Sequence, residues 1–290
     1  MTMELARPEK TGMLIYNITG LGPGTATINA YEVATDDGSM FSSARLSARN
    51  IVISIAFHGN DIETLRQKTY KYFPIKKQVE LEIVTDNRVS VIKGYVEKND
   101  PTIFSQNEAT QISIICPYPY FYKGGPDAIN STYFYGVEPV FEFPFSNESL
   151  IEPLLEFGSI KQEPVQTIFY DGDSDIGIKI YIKAFGTAKN ITIANLDTQD
   201  IMVINTDKIS SIIGSSALIE GDEIEISTVQ REKYIRFLRN GKYYNILNVL
   251  DKNVKWFKLV KGDNLFAFTA EEGITNLQIR IDNRLIYEGV

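Results

Sequence analysis

Asp171, Asp173 and Asp175 alternate with Gly172 and Ser174, which puts acids at the first, third and fifth places of a stretch with the outline of a calcium loop. An EF-hand loop also needs Gly at its sixth place and a bidentate Glu at its twelfth. Ile176 and Ile182 stand there instead. A solvated hairpin turn is the first reading of this stretch, with a single surface calcium as the alternative. Trp256, beside Phe257 and with Tyr243 and Tyr244 upstream, is the candidate sugar contact, because flat rings suit the CH faces of a pyranose. The competing reading packs those rings in a core, as strand aromatics usually do. A carboxylate pair for glycoside cleavage meets only in space, so the many acids leave that option open without supporting it.

Other chemistries lack their residues. The chain has one His, His58, and one Cys, Cys116, which removes any multi-histidine zinc site, any intrachain disulfide and any cysteine metal cluster. It shows no Gly-x-x-x-x-Gly-Lys phosphate loop, no His-Glu-x-x-His and no Gly-x-Ser-x-Gly elbow. Glycines 20, 22 and 24 do not open a helix, so they are no dinucleotide fingerprint. No cofactor is expected, and no catalytic residue is assigned. The net charge of −8 is uneven: residues 1–125 carry 13 basic against 13 acidic side chains, and residues 126–290 carry 16 against 24. Neither half offers the basic face of a nucleic-acid binder. Met1 to Gly12 has no apolar stretch of the secretory kind, and no run reaches the ~20 apolar residues of a membrane span. The expectation is a soluble protein made and kept in a cytoplasm, where the sequons at Asn17 and Asn190 carry no sugar.

At 290 residues, 43% hydrophobic and 23% charged, the chain has material for two globular domains. Met13–Ile18 and Thr25–Val33 read as strands, with turns at residues 20–24 and at Asp36-Asp37-Gly38. Ile51, Ile53, Ile55 and Phe57 keep the period of two that marks a strand with one buried face. A helix follows. Asn60 is the expected N-cap with Glu63 as its capping-box partner, Ile62, Leu65, Thr69 and Phe73 keep helical spacing, and Pro74 stops it. The spacing covers one sheet face; the alternative use of Leu65, Tyr70 and Phe73 is subunit contact. Residues 78–96 read as a hairpin turning at Asp86-Asn87. Thr110–Cys116 alternates again, which makes Cys116 a buried hydrophobe rather than a reactive thiol.

Pro117-Tyr118-Pro119-Tyr120-Phe121-Tyr122-Lys123-Gly124-Gly125 breaks the pattern, and the domain boundary is expected there. Tyr118, Tyr120 and Phe121 either plug the base of the first domain or form an exposed contact patch. Beyond the boundary come many short strands spaced by turns, Asn240-Gly241 being the clearest type I′ hairpin signal. That half reads as a β-sandwich or jelly roll.

The stretch Gly20-Leu21-Gly22, Asp37-Gly38, Arg49–Phe57, Glu63-Thr64-Leu65-Arg66 and Phe73-Pro74 resembles the amino-terminal domain of the siphophage distal tail protein (Dit) family. Lys93-Gly94-Tyr95-Val96 and the run from Gln111 through Cys116-Pro117-Tyr118-Pro119-Tyr120-Phe121-Tyr122 extend the resemblance, the latter being its most specific piece. Phe141-Glu142-Phe143-Pro144-Phe145, Val260-Lys261-Gly262-Asp263-Asn264 and Tyr287-Glu288-Gly289-Val290 are similar to that family's carboxy-terminal module.

The resemblance implies a mainly β chain of two parts: a β-sandwich-like ring domain with one α-helix at residues 1–125, and a galectin-like or jelly-roll β-sandwich at 126–290. It implies a structural, non-enzymatic subunit of the virion tail at its distal end, assembled in the bacterial cytoplasm. Its expected assembly is a homo-oligomeric ring, hexameric in the family, that joins the tail tube to the baseplate. Expected partners are the tail tube protein, the tape measure protein and receptor-binding proteins, with DNA passing the channel ungripped. Prophages and phage-tail-like bacteriocins carry similar subunits. The alternative function is an adhesin for host-wall glycan, and a tail-associated glycosidase is a third class. No sugar-binding motif of the family is matched.

Overall fold

The computed structural model describes residues 2–32, 34, 37–59, 61–105, 107–138, 159–250 and 254–290. Asn60, Val33, Asp36 and the 141–145 motif lie outside the described residues. The chain is mainly β, and it forms two compact units: Met1–Pro126 together with Ile286–Val290, and Asp127–Leu285.

In the first unit, β1 (Met13–Thr19), β2 (Ala26–Glu32), β3 (Ser39–Leu46) and β4 (Arg49–Phe57) precede a helix at Ile62–Tyr72. β5 (Gln78–Val84), β6 (Val89–Pro101), β7 (Ala109–Cys116) and β8 (Phe121–Lys123) follow. The sheet runs β1-β4-β7-β6, all antiparallel. β6 pairs with β5 along one edge and, along the other, with β8 and then β7, its register shifting between Val96 and Lys98. The period-2 runs become the core, with Ile51 opposite Ile114 and Ile53 opposite Ile112, all buried beside Met13, Ile55, Phe57, Ile92 and Cys116. Each such side chain contributes about 2 kcal/mol by leaving water. Gly94 lets the strands close up, since a Cβ there would stand 2.5 Å from Ile114 Cγ2 and 2.7 Å from Cys116 Sγ.

The helix lies on this sheet through Leu65 and Thr69, with Phe73 buried at its C-cap. Asp61 is its N-cap: the carboxylate accepts from the Thr64 backbone N–H at 3.0 Å and from its hydroxyl at 2.6 Å. Glu63 instead accepts from Gln67 at 3.2 Å, so the expected capping box gives way to an Asp61–Thr64 cap. Buried Thr69 is satisfied by donating to the Arg66 carbonyl at 2.7 Å and accepting from Asn99 at 3.2 Å.

The second unit holds two antiparallel sheets. The larger has the order β10-β9-β19-β12-β15-β16-β17, built from β9 (Asn130–Glu138), β10 (Ser159–Gln162), β12 (Lys179–Ala184), β15 (Glu223–Ser227), β16 (Tyr234–Arg239), β17 (Lys242–Asn245) and β19 (Leu277–Asn283). The smaller is β11-β18-β13-β14, from β11 (Val165–Tyr170), β13 (Lys189–Asn195), β14 (Asp200–Ile204) and β18 (Gly262–Glu272). Ile180, Ile182, Ile224, Ile226, Ile279 and Ile281 fill the inner face of the first, and Ile191, Ile193, Phe266 and Phe268 that of the second. Phe134 of β9 meets Phe268 of β18 with ring centroids 4.7 Å apart, so the sheets form a sandwich. The expected hairpin is present: Asn240 and Gly241 both have positive φ, 53° and 74°, as a type I′ turn requires.

One boundary needs correction. On sequence, residues 126–290 form one module that Tyr287–Val290 close. The chain instead returns to the first unit, where β20 (Ile286–Tyr287) pairs with β8 and the Val290 N–H donates to the Leu21 carbonyl at 3.1 Å. Five residues are too few to show a period of their own, so the packing of Ile286, Tyr287 and Val290 against the first core is not legible in the sequence. The second unit is thus an insertion between β8 and β20.

Candidate functional site

β2 and β3 form a two-stranded sheet of their own. Every side chain of β2, and all of β3 except the half-buried Leu46, is exposed. The register puts Ala26, Ile28 and Ala30 opposite Leu46, Ala44 and Phe41. Alternation along β2 places these six on one face, an apolar stripe. Ile28 is 67% and Phe41 66% exposed. A two-stranded ribbon is marginal in water by itself, and exposed apolar stripes mark contact surfaces. On the other face Asn29 donates to the Ser43 hydroxyl at 2.9 Å, as a solvated face should.

The contact residues expected from sequence are placed differently. Leu65, Phe73 and Phe121 are buried in the first unit's own core, so they offer nothing to a neighbour. The helical apolar spacing that drew attention to them is spent on the sheet beneath. Tyr70 is 42% exposed and stays on the surface. Tyr118 and Tyr120 are half-buried, with ring centroids 5.2 Å apart, and Tyr118 stacks on Tyr122 at 5.5 Å. The exposure of the hairpin is not legible in the sequence, because a β-favouring stretch looks the same whether its apolar side faces a core or a partner.

A second feature lies in the second unit. The outer face of its larger sheet forms a groove of about 530 Å³ lined by Tyr133, Tyr181, Lys183, Glu223, Glu225, Arg236, Leu238, Tyr243, Gln278 and Arg280 among others. Register makes the lining: Tyr133, Arg280, Tyr181, Glu225 and Arg236 follow one another across β9, β19, β12, β15 and β16. Gln278, Lys183, Glu223, Leu238 and Tyr243 form the next row, out to β17. Lys183 pairs with Glu223 at 2.9 Å and Arg280 with Asp282 at 3.0 Å. Arg280 lies over the Tyr181 ring at 4.6 Å. The Tyr234 hydroxyl donates to Glu225 at 2.6 Å. Burial, then that hydrogen bond and the Glu225 charge, push the Tyr234 phenol well above its usual range, and burial followed by Glu225 and Asp282 raises Tyr181. Both phenols are neutral donors at any physiological pH.

The expected sugar trio does not come together. Tyr243 and Tyr244 are neighbours in one strand and face opposite ways. Tyr243 lines the groove, whereas Tyr244 sits 6.3 Å from the buried Phe237 ring. Trp256 is half-buried away from the groove lining, with Lys233 over its ring at 5.4 Å, and Phe257 packs edge-on to Phe266. In the acidic loop the Tyr170 hydroxyl donates to the Ser174 carbonyl at 2.8 Å and Lys261 approaches Asp171 at 3.5 Å. Among the described residues no group of His, Cys, Asp and Glu is arranged to hold a metal ion, and no helix is long and apolar enough to cross a membrane.

No protein-family profile matches the sequence, and no curated protein aligns with it. Solved structures do. The crystal structure of SPP1 Dit (gp 19.1), described as a paradigm of the hub adsorption apparatus in phages infecting Gram-positive bacteria, superposes with a TM-score of 0.63 at 12% identity. The match covers 95% of both chains. This chain has the Dit fold. A chain of the phage P2 baseplate in its activated conformation gives a TM-score of 0.48 at 10% identity, covering 94% of this chain and 90% of that one.

In this instance of the Dit fold one residue ties the first unit together. Arg49, 6% exposed, donates through Nε to the Pro119 carbonyl at 2.7 Å, through Nη1 to the carbonyls of Gly20 (2.7 Å) and Gly22, and through Nη2 to that of Glu288 at 2.6 Å. Its guanidinium lies 4.7 Å over the Phe121 ring. The most family-like sequence run, Cys116 to Tyr122, therefore supplies an acceptor and a ring to a buried cation.

Proposed function

We propose that the chain is a structural hub subunit of a phage tail tip, a distal tail protein whose first unit joins copies of itself in a closed ring. Six copies, the family number, would sit between tail tube and adsorption apparatus in the distal virion tail after assembly in the host cytoplasm. The uncovered apolar stripe of the β2–β3 hairpin carries this reading, because it needs a partner that the unit itself does not supply. β1 ends the sheet with its outer edge unpaired among the described residues, and Leu14 and Tyr16 are exposed there. A hairpin laid on the neighbour's edge is a head-to-tail contact, and such a contact closes when its rotation divides a circle. The fold likeness to SPP1 Dit over nearly the whole chain supports the same assignment.

The remaining partners follow from the place in the tail: tube protein on one side, tape measure and receptor-binding proteins on the other. With 13 basic and 13 acidic residues before position 126, the ring would let DNA pass without holding it. The role requires no catalytic step. Native mass spectrometry and negative-stain images of the full chain test it. A ring from the wild type and a folded monomer from the Ile28→Asp, Phe41→Asp double variant are expected. A wild type that stays monomeric at high concentration beside its neighbouring tail components, or a double variant that still closes rings, overturns the proposal.

A further inference from the structure

The groove on the second unit has chemistry that ring formation leaves unused. A merely solvated sheet face needs no aromatic rings, yet Tyr133, Tyr181 and Tyr243 come from three strands 48 and 62 residues apart to line one depression. Between them stand donors and acceptors of both kinds: Arg236, Arg280, Lys183 and Gln278 with Glu223 and Glu225. Its volume, about 530 Å³, falls within the range of small-molecule sites, about 300–1,000 Å³.

The charges narrow the occupant. Lys183 is already matched by Glu223 and Arg280 by Asp282, and Tyr234 holds one face of Glu225. An anionic ligand would have to displace these carboxylates, and a cationic one these bases. A neutral ligand with many hydroxyls loses nothing to such pairs and finds hydrogen-bonding partners of both senses. A ligand that also has flat CH faces matches the tyrosine rings. A peptide strand adds along a sheet edge, whereas this lining spreads over the face of the sheet and reaches the edge strand only at Tyr243.

We infer that this groove binds a neutral, pyranose-based oligosaccharide, with Tyr181 and Tyr243 as stacking platforms and Arg236, Gln278 and Glu223 holding hydroxyls. Trp256 takes no part. Sugar capture needs only the second unit's sheet and stands whether or not the first unit forms rings.

The test uses the full chain on an array of neutral oligosaccharides of glucose, galactose and N-acetylglucosamine beside sulfated and sialylated ones, followed by calorimetric titration of the hits. Saturable binding of at least one neutral glycan is expected. Tyr243 is 60% exposed on an edge strand, so Tyr243→Ala folds normally and should weaken binding by about tenfold or more, about 1.4 kcal/mol. Arg236→Gln, also exposed, should weaken it as well, while Trp256→Ala leaves it unchanged. Binding to no glycan, binding to charged glycans alone, or affinity lost with Trp256 but kept with Tyr243→Ala each overturns the inference.

Discussion

Arg49 is a buried guanidinium whose recorded hydrogen bonds all go to backbone carbonyls rather than to a carboxylate. Burial pulls its pKa down, only partly offset by Cys116 and Glu288, so the carbonyls rather than a counter-charge keep it in place. Removing it leaves those carbonyls without their donor in a dry site. Arg49→Ala should therefore lower the first unit's stability by about 3 kcal/mol in urea unfolding. Arg49→Lys should recover little, because an ammonium cannot span the same fork. Cys116, paired with Arg49 across β4 and β7, is the opposite case. Burial pushes its thiol up to about 11, against the pull of Arg49. It stays protonated in the folded chain at mildly alkaline pH, so a disulfide reagent should reach it only when the first unit opens, and labelling should speed up with added denaturant. Fast labelling of the native chain would contradict this. The burial of Cys116 was legible in the alternation Ile112, Ile114, Cys116. The role of Arg49 was not, because its acceptors at Pro119 and Glu288 lie 70 and 239 residues away.

At the scale of elements, the helix shows how far local pattern carries. Its extent, its buried side and its end before Pro74 follow from spacing, while the cap fell one residue from its expected place because Asn60 and Asp61 are both good caps. The Thr64 hydroxyl first, and then its backbone N–H, hold the Asp61 carboxyl below its usual range. A carboxyl depressed in the folded state stabilises above its unfolded pKa, and the contribution fades as pH falls through the folded one. Asp61→Ala should thus melt lower than wild type at neutral pH, with the gap closing in acid; a gap constant with pH would show that the carboxylate is not the cap. The hairpin β2–β3 marks the limit of the same reasoning. β-Favouring residues between two turns mark Thr25–Val33 as a strand but give no sign that both faces of β2 are exposed. The groove marks another limit, since Ile176–Ile182, Glu223–Ser227 and Leu277–Ile281 each read from sequence as ordinary strands. Only the register sets their outward residues side by side.

For the whole molecule, two antiparallel β units were legible from turn spacing and period-2 runs, since those signals are local. The interruption of the first unit by the second was not, because the returning piece is only Ile286–Val290. Yet that piece has consequences out of proportion to its length. Ile286 is fully buried, the Glu288 carbonyl accepts from Arg49, Val290 bonds to Leu21, and the Tyr287 ring lies 4.3 Å beneath the Arg88 guanidinium. Burying one isoleucine and making two interior hydrogen bonds contribute together about 4 kcal/mol, a large share of a small domain's net stability. A chain ending at Leu285 should therefore show two calorimetric transitions, one matching the intact second unit and one from the first unit, moved to markedly lower temperature. Supplying the missing residues as a free peptide should restore little, since a peptide forfeits the effective concentration that the covalent return provides. If the shortened chain melts as the full one does, the tail is an ornament on the first unit, and Arg49 must find its fourth acceptor elsewhere.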